Sequence, residues 1–193
     1  MSESCTWPGT EKIYVEYHDN EWGVPEFDSR ALWEKLILDG FQAGLSWITI
    51  LKKRESFRAG FDQFDPDIVA EYGEVEVNRL LGDAGIVRHR GKINATISNA
   101  RAYQEIQAKV GFGKFLWGYM DGKPLQNNFR SMSEVPASTP LSTQISKDLK
   151  AAGFKFCGPT IVYAFMQAVG MVNDHMIACP RHKDVQDEGS WFR

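Results

Sequence analysis

Residues 38–47 read "LDGFQAGLSW", one acid followed within ten positions by two glycines, an amide and large apolar side chains. Gly40 and Gly44 stand four apart, and each weakens a helix by roughly 1 kcal/mol relative to alanine. The stretch therefore serves something besides core filling. Upstream, "KIYVEYHDNEWG" supplies Tyr14, Tyr17 and Trp22, which could line an aromatic pocket with Trp7 and Trp47. Asp39 would be the one acid of that pocket. Such walls hold a flat, electron-poor or cationic ring by stacking and cation–π attraction. The same residues also suit an aromatic core cluster in which Asp39 merely ends a helix.

A second group is suited to metal. His175 and Cys179 in "DHMIAC" are spaced i and i+4, so on a helical turn both face one way. Cys5 and His18 lie at the other end of the chain. Two cysteines and two histidines make a tetrahedral zinc set of the closed, structural kind. Such a site would tie the termini together and close a very long loop. The usual finger spacings are absent, and His182 in "CPRHK" competes as a ligand. Cys157 in "KFCGPT" reads as a small buried residue.

A third group is basic. "LLGDAGIVRHRGKINATISNARAY" sets a glycine-ended helix, a short turn and another helix in sequence. Amides around Gly85 and Gly91 could point at an anion, with Arg88, His89, Arg90 and Lys92 adding charge. This would suit a DNA phosphate, fixing position without reading sequence. An ordinary helix–helix turn with a solvated basic rim fits the same residues.

The elements that must position these groups are helices, and the predicted fold class is all-α. Asp28 can cap "SRALWEKLILDG", which sets Leu32, Leu36 and Asp39 on one face. Ser46 can cap "WITILKKRESFRAG", with Ile48 and Leu51 inward and Lys52, Lys53 and Arg54 toward solvent. Asp65 before Pro66, and Thr139 before Pro140, are strong helix starts. "EVEVNRLLGDAG" reads as a helix stopped at Gly85, and a long polar-faced helix begins at Ile93. Pro159 opens "TIVYAFMQAVG", a central helix hydrophobic nearly all round. Residues 123–140 form a long loop, and no paired strands stand out. One compact unit over residues 1–193 accommodates all of this.

Composition limits the function. The formal net charge is −3, so nucleic-acid binding must rest on local patches rather than on a basic chain. No run approaches the roughly 18 apolar residues of a membrane helix. "MSESCTWPGT" carries no visible signal peptide. Three cysteines are an odd count and too few for a disulfide framework, which predicts a cytosolic protein with reduced thiols free to bind metal.

Together these stretches resemble a known family, the DNA-3-methyladenine glycosylases I, bacterial repair enzymes of the helix-hairpin-helix superfamily. The resemblance covers nearly the whole chain. It runs through "YHDNEWGVP", "QAGLSWITILKKRE", "DAGIVRHRGKI", "NARAY", "GFKFCGPTI" and "FMQAVGMVNDH". It implies a helix-hairpin-helix over about residues 76–105 and a monomeric cytoplasmic enzyme acting on duplex DNA that contains 3-methyladenine. The base would be flipped out, because its reacting atom is unreachable inside the stack, and its N-glycosidic bond hydrolysed without a lyase step.

The resemblance also assigns roles. Structural Zn2+ falls on Cys5, His18, His175 and Cys179. The catalytic pocket falls on Asp39, Tyr17 and Trp47, with Trp7, Tyr14 and Trp22 as further base-binding wall. Gln42, Gly44 and Leu45 would enter the DNA gap, and Gly85, Arg88, Arg90, Gly91 and Lys92 would hold the backbone. One position departs: the family carries glutamate where this chain has Asp39. Aspartate is shorter by one methylene, roughly 1.5 Å of reach, more than a direct hydrogen bond tolerates. That change keeps an alternative open, a catalytically idle sensor of alkylation damage.

Overall fold

A computed structural model describes residues 4–188. In chain order the first helices are α1 (Lys12–Asn20), α2 (Ser29–Gln42), α3 (Trp47–Leu51), α4 (Arg54–Gly60), α5 (Pro66–Ala70) and α6 (Glu74–Gly82). They are followed by α7 (Arg90–Lys109), α8 (Phe112–Trp117), α9 (Pro140–Ala151), α10 (Pro159–Ala168) and α11 (Pro180–Glu188). The mostly helical architecture agrees with the predicted class. Among the described residues no helix is long and apolar enough to cross a membrane.

Local chemistry explains most of the starts. The Asp28 carboxylate accepts the amides of Arg30 and Ala31 at 3.0 and 2.9 Å and caps α2. Asp65 accepts the amide of Asp67 ahead of α5, and Thr139 accepts that of Ser142 at the start of α9. Each such cap is worth about 1 kcal/mol. α2 is the hub. Leu32, Trp33, Leu36, Ile37, Leu38 and Phe41 are buried along it, and it packs against α3, α7, α8 and α10. A fully buried side chain of this size contributes roughly 1.5–3 kcal/mol.

Several local expectations change. The single helix expected after Ser46 is broken into α3 and α4, and at the break Lys53 reaches the Ala84 and Gly85 carbonyls at 2.8 and 3.3 Å. Ser46 bonds the Thr49 hydroxyl instead of capping the backbone, and Ile48 is only half-buried. α6 stops at Gly82, before Gly85, and α7 begins at Arg90, before Ile93. There His89 Nδ1 accepts the Lys92 amide at 3.1 Å, a cap outside the usual set of small polar residues. Two short strands also exist. β1 (Leu125–Gln126) pairs in parallel with β2 (Val172–Asn173), setting Leu125 opposite Val172. A pairing of two residues leaves no alternation to read in sequence, yet it pins the 123–140 loop to the segment that carries His175.

The two glycines of "LDGFQAGLSW" do different things. A Cβ on Gly40 would lie 3.3 Å from the Phe156 carbonyl oxygen, so the glycine lets that backbone pack closely on α2. Gly44 has φ +82° with open space around it. It turns the chain out of α2 through the left-handed region that glycine enters without steric cost.

Lys92 corrects the basic-rim reading. It is buried, and its ammonium donates to the carbonyls of Phe41 and Ala43 at 2.8 and 2.6 Å. It therefore closes the C-terminal end of α2, where orphan carbonyls and the helix dipole favour a cation. Lys92→Met should lower unfolding stability by about 2 kcal/mol or more, because it leaves carbonyls without a donor. Urea unfolding checks this; unchanged stability would return Lys92 to the solvent rim.

Candidate active site

The pocket forms where α1, α2, α3 and α10 meet. The Tyr17 and Trp47 rings lie 5.4 Å apart at 46°. Trp7 meets Tyr14, Trp22 and Tyr17 edge-on at 4.9, 5.1 and 6.3 Å. These rings enclose a cavity of about 200 Å³ that Asp39 and Gln42 also border. All six residues expected in the pocket thus converge on one space. Burial pushes the Tyr17 hydroxyl well above its ordinary range, so it stays a phenol.

Asp39 is buried but is not alone. Its Oδ1 accepts the ammonium of Lys35, one turn earlier on α2, at 2.5 Å. That ammonium also sits 3.9 Å from the Trp47 ring centroid. Burial pushes the Asp39 carboxyl up and the Lys35 ammonium down, and each partner opposes the other's shift. Asp39 Oδ2, Trp7 Nε1 and Trp47 Nε1 are buried without a hydrogen-bond partner among the described residues. Buried polar atoms are nearly always paired, so one acceptor and two donors around a cavity mark a place for a polar ligand.

Nor is Asp39 the only acid. Asp174 borders the same cavity, but it accepts from Tyr163, Gln167 and Asn127 at 2.7, 2.8 and 2.6 Å. Its lone pairs are spent holding α10 and the 123–140 loop to the cavity floor. Lys35, Asp174 and Gln167 escape the sequence reading. For Lys35 the signal existed, since it stands four residues before Asp39 on the same helix.

The four candidate metal ligands also converge. Cys5, His18, His175 and Cys179 offer donor atoms that all lie within 4.8 Å of one another and could hold a metal ion. Cys179 Sγ is 3.7 Å from both His18 Nε2 and His175 Nδ1, and Cys5 Sγ is 3.8 Å from His175 Nδ1. The outer ring nitrogens are engaged, His18 Nδ1 with Asp19 at 2.7 Å and His175 Nε2 with the Trp22 carbonyl at 3.0 Å. Such partners orient metal-ligating histidines. His175 and Cys179 meet through a turn between β2 and α11, not along a helix as their spacing suggests. His182 is no competitor, because its Nε2 faces the Asn127 carbonyl at 2.8 Å. Cys157 is buried away from the cluster, and burial pushes its thiol up to about 11.

The cluster and the pocket share a wall. Trp7 lies 5.4 Å from the His18 ring, and Trp22 lies 4.6 Å from that of His175. Burial and the nearby Cys179 push the Cys5 thiol up to about 12, and burial lowers His175 to about 4. A cation held among these donors would reverse the first shift and use the neutral imidazole that the second supplies.

Outside the pocket, Leu45 is 44% exposed next to Gly44. At the start of α7, Arg88, His89, Arg90 and Gly91 are exposed. Arg90 pairs with Glu74 at 3.1 Å and reaches Asn78 at 2.9 Å. The Gly85 amide is taken by Asp83 at 2.7 Å, so it does not point outward for an anion. What faces solvent there is Arg88 and the first turn of α7.

The methyladenine glycosylase family matches residues 7–182. DNA-3-methyladenine glycosylase 1 of Escherichia coli (strain K12) is 53% identical over 178 residues, covering 92% of this chain and 95% of that protein. A crystal structure of 3-methyladenine DNA glycosylase I superposes with a TM-score of 0.90 at 53% identity, covering 92% of this chain and 98% of the other. A structure concerning 3-methyladenine recognition by the Staphylococcus aureus enzyme gives 0.89 at 40% identity, covering 92% and 95%. The chain belongs to the methyladenine glycosylase family and is an enzyme of that kind.

Because the pocket tryptophans lean on the cluster histidines, the two regions should fail together. Cys179→Ala should lower the melting temperature and shift tryptophan emission to the red. Emission that stays constant while the protein loosens would mean the pocket wall stands without the cluster.

Proposed function

We propose that this enzyme removes 3-methyladenine from alkylated duplex DNA by hydrolysing its N-glycosidic bond, without a lyase step. The observation that carries this reading is the buried Asp39 carboxylate, with one free oxygen, bordering an aromatic cavity that Trp47 also lines. N3-alkylation makes the adenine a cation, and that cavity is built for a flat cation. The base would leave the stack to reach it. Leu45, exposed beside the turn at Gly44, would fill the step that the base vacates, as apolar wedges do. Arg88 and the first amides of α7 would hold the backbone, in a helix-hairpin-helix made of α6 and α7. Gln42, at the pocket edge, would meet the orphaned strand.

Chemistry follows from the charge. The C1′–N9 bond breaks with its electron pair going to the base, so the alkylated adenine departs neutral. Little general-acid help is needed, unlike the glycosidases that protonate a leaving oxygen. Asp39 accepts hydrogen bonds from the exocyclic amine edge while Trp47 stacks and Tyr17 contacts the ring. Water adds to C1′ and gives up a proton. Lys92 supplies no nucleophile, since its amine is committed to the Phe41 and Ala43 carbonyls.

The metal in this reading is zinc, in a structural role. A tetrahedral zinc with bonds of about 2.3 Å to sulfur and 2.0–2.1 Å to nitrogen separates its S and N donors by roughly 3.5–3.6 Å. The observed separations of 3.7–3.8 Å are slightly longer, a small inward shift from that geometry. Cys5 and Cys179 as thiolates, with His18 and His175, would hold it and tie both ends of the chain behind the pocket.

Two measurements test this. The protein should release free 3-methyladenine from methylated duplex DNA, and Asp39→Asn should cut the rate by about tenfold or more while leaving unfolding stability comparatively unaffected. Undiminished release by that variant would make Asp39 a helix residue only. Elemental analysis should find one zinc per chain; a metal-free protein with an unchanged melting curve would remove zinc from the account.

A further inference from the structure

Lys35 stands where the base would go. Its ammonium makes two contacts, 2.5 Å to Asp39 Oδ1 and 3.9 Å to the Trp47 ring. Both are contacts that a positively charged purine would make in the reading above. The Lys35 side chain also borders two spaces. On one side lies the aromatic cavity. On the other is a hollow of about 300 Å³ bordered by Glu21, Glu26 and Glu34, with Arg54 and Arg58. Tyr17, Lys35, Trp47 and Ala168 border both spaces.

That second hollow has room and charge for an ammonium. Arg54 pairs with Glu21, and Arg58 with Glu34 at 2.7 Å. Glu26 turns one oxygen to the amides of Phe27 and Asp28 at 2.8 and 2.7 Å. Three carboxylates thus face two guanidinium groups. The Lys35 side chain is 16% exposed against 2% for Asp39, so the lysine is the partner with freedom to leave.

A carboxylate as deep as Asp39 with no counter-charge would take up a proton. It would then be a neutral acid able to hydrogen-bond an ordinary adenine. We propose that Lys35 is a specificity-determining residue, a resident ammonium that keeps Asp39 a carboxylate while the pocket is empty and is exchanged for the positively charged base. The exchange is cation for cation, and the displaced side chain turns into the hollow of Glu21, Glu26 and Glu34. A neutral base that pushed Lys35 aside would leave a buried, unpaired carboxylate, which is strongly unfavourable. A cationic base restores the pair. Lys35 touches no reacting atom; it sets the charge that the pocket demands.

This inference rests on the proposed base pocket, and the test separates the two. The probes are 3,9-dimethyladeninium, which carries the delocalised charge and has no bond to hydrolyse, and neutral 9-methyladenine. Binding is read by tryptophan fluorescence, and access to Lys35 by a pulse of acetic anhydride with peptide mass analysis. With wild-type protein, saturating 3,9-dimethyladeninium should raise Lys35 acetylation several-fold, the reverse of the protection a bound ligand normally gives. Lys35→Met should shrink the preference for the cation over 9-methyladenine by about tenfold or more. If the cation fails to bind wild-type protein, the pocket reading falls and the exchange with it. If it binds while Lys35 acetylation stays level or falls, or if Lys35→Met keeps the full preference, the exchange alone is overturned. The acetylation arm needs no variant to fold.

Discussion

A carboxylate enclosed by aromatic rings is stable only beside a positive charge, and the Lys35–Asp39 pair meets that condition inside the pocket. Desolvation of a lone ion costs several kcal/mol even after relaxation. The surrounding architecture keeps the pair dry and aligned. Both residues lie on α2, a deeply packed helix, where Leu36 and Leu38 anchor the backbone between them. Trp47, at the start of α3, gives the ammonium its ring face. The free Asp39 oxygen and two unpaired indole N–H groups then leave the cavity with directional demands as well as a charge.

The walls of that cavity come from both ends of the chain. Trp7, Tyr14, Tyr17 and Trp22 belong to the N-terminal segment, while Gln167 and Asp174 belong to the C-terminal one. Bringing such distant segments together is entropically costly, and the Cys5, His18, His175 and Cys179 cluster lies at that junction. Its histidines touch Trp7 and Trp22 directly. Behind the other side of the pocket, Lys92 fastens the start of α7 to the end of α2, so the basic turn and the Gly44–Leu45 tip are held in fixed relation.

Local signals in the sequence were legible where the chemistry is local. Asp28, Asp65 and Thr139 cap the helices they precede, because a cap depends on amides only two or three residues away. The aromatic residues and the four metal donors could be named from sequence because their types are unusual together. Their convergence rests on contacts across the whole chain. Lys92 departs from expectation because a lysine in a charged stretch reads as a solvent-facing residue, and Lys35 draws no reading at all. Helical spacing tells otherwise, since Lys92 shares a face with the buried Thr96, Asn99 and Tyr103 of α7, and Lys35 shares one with Asp39. The short β1–β2 pairing and the histidine cap at His89 carry no sequence signal strong enough to find.

The most direct test is the ionisation of Asp39 itself, followed through its carboxyl carbon by 13C NMR in the free protein. Asp39 should be a carboxylate at neutral pH and take up its proton on acidification above the ordinary value of 3.8. An Asp39 already protonated at neutral pH would contradict this, because the pocket would then hold no negative charge with which to recognise a cationic base.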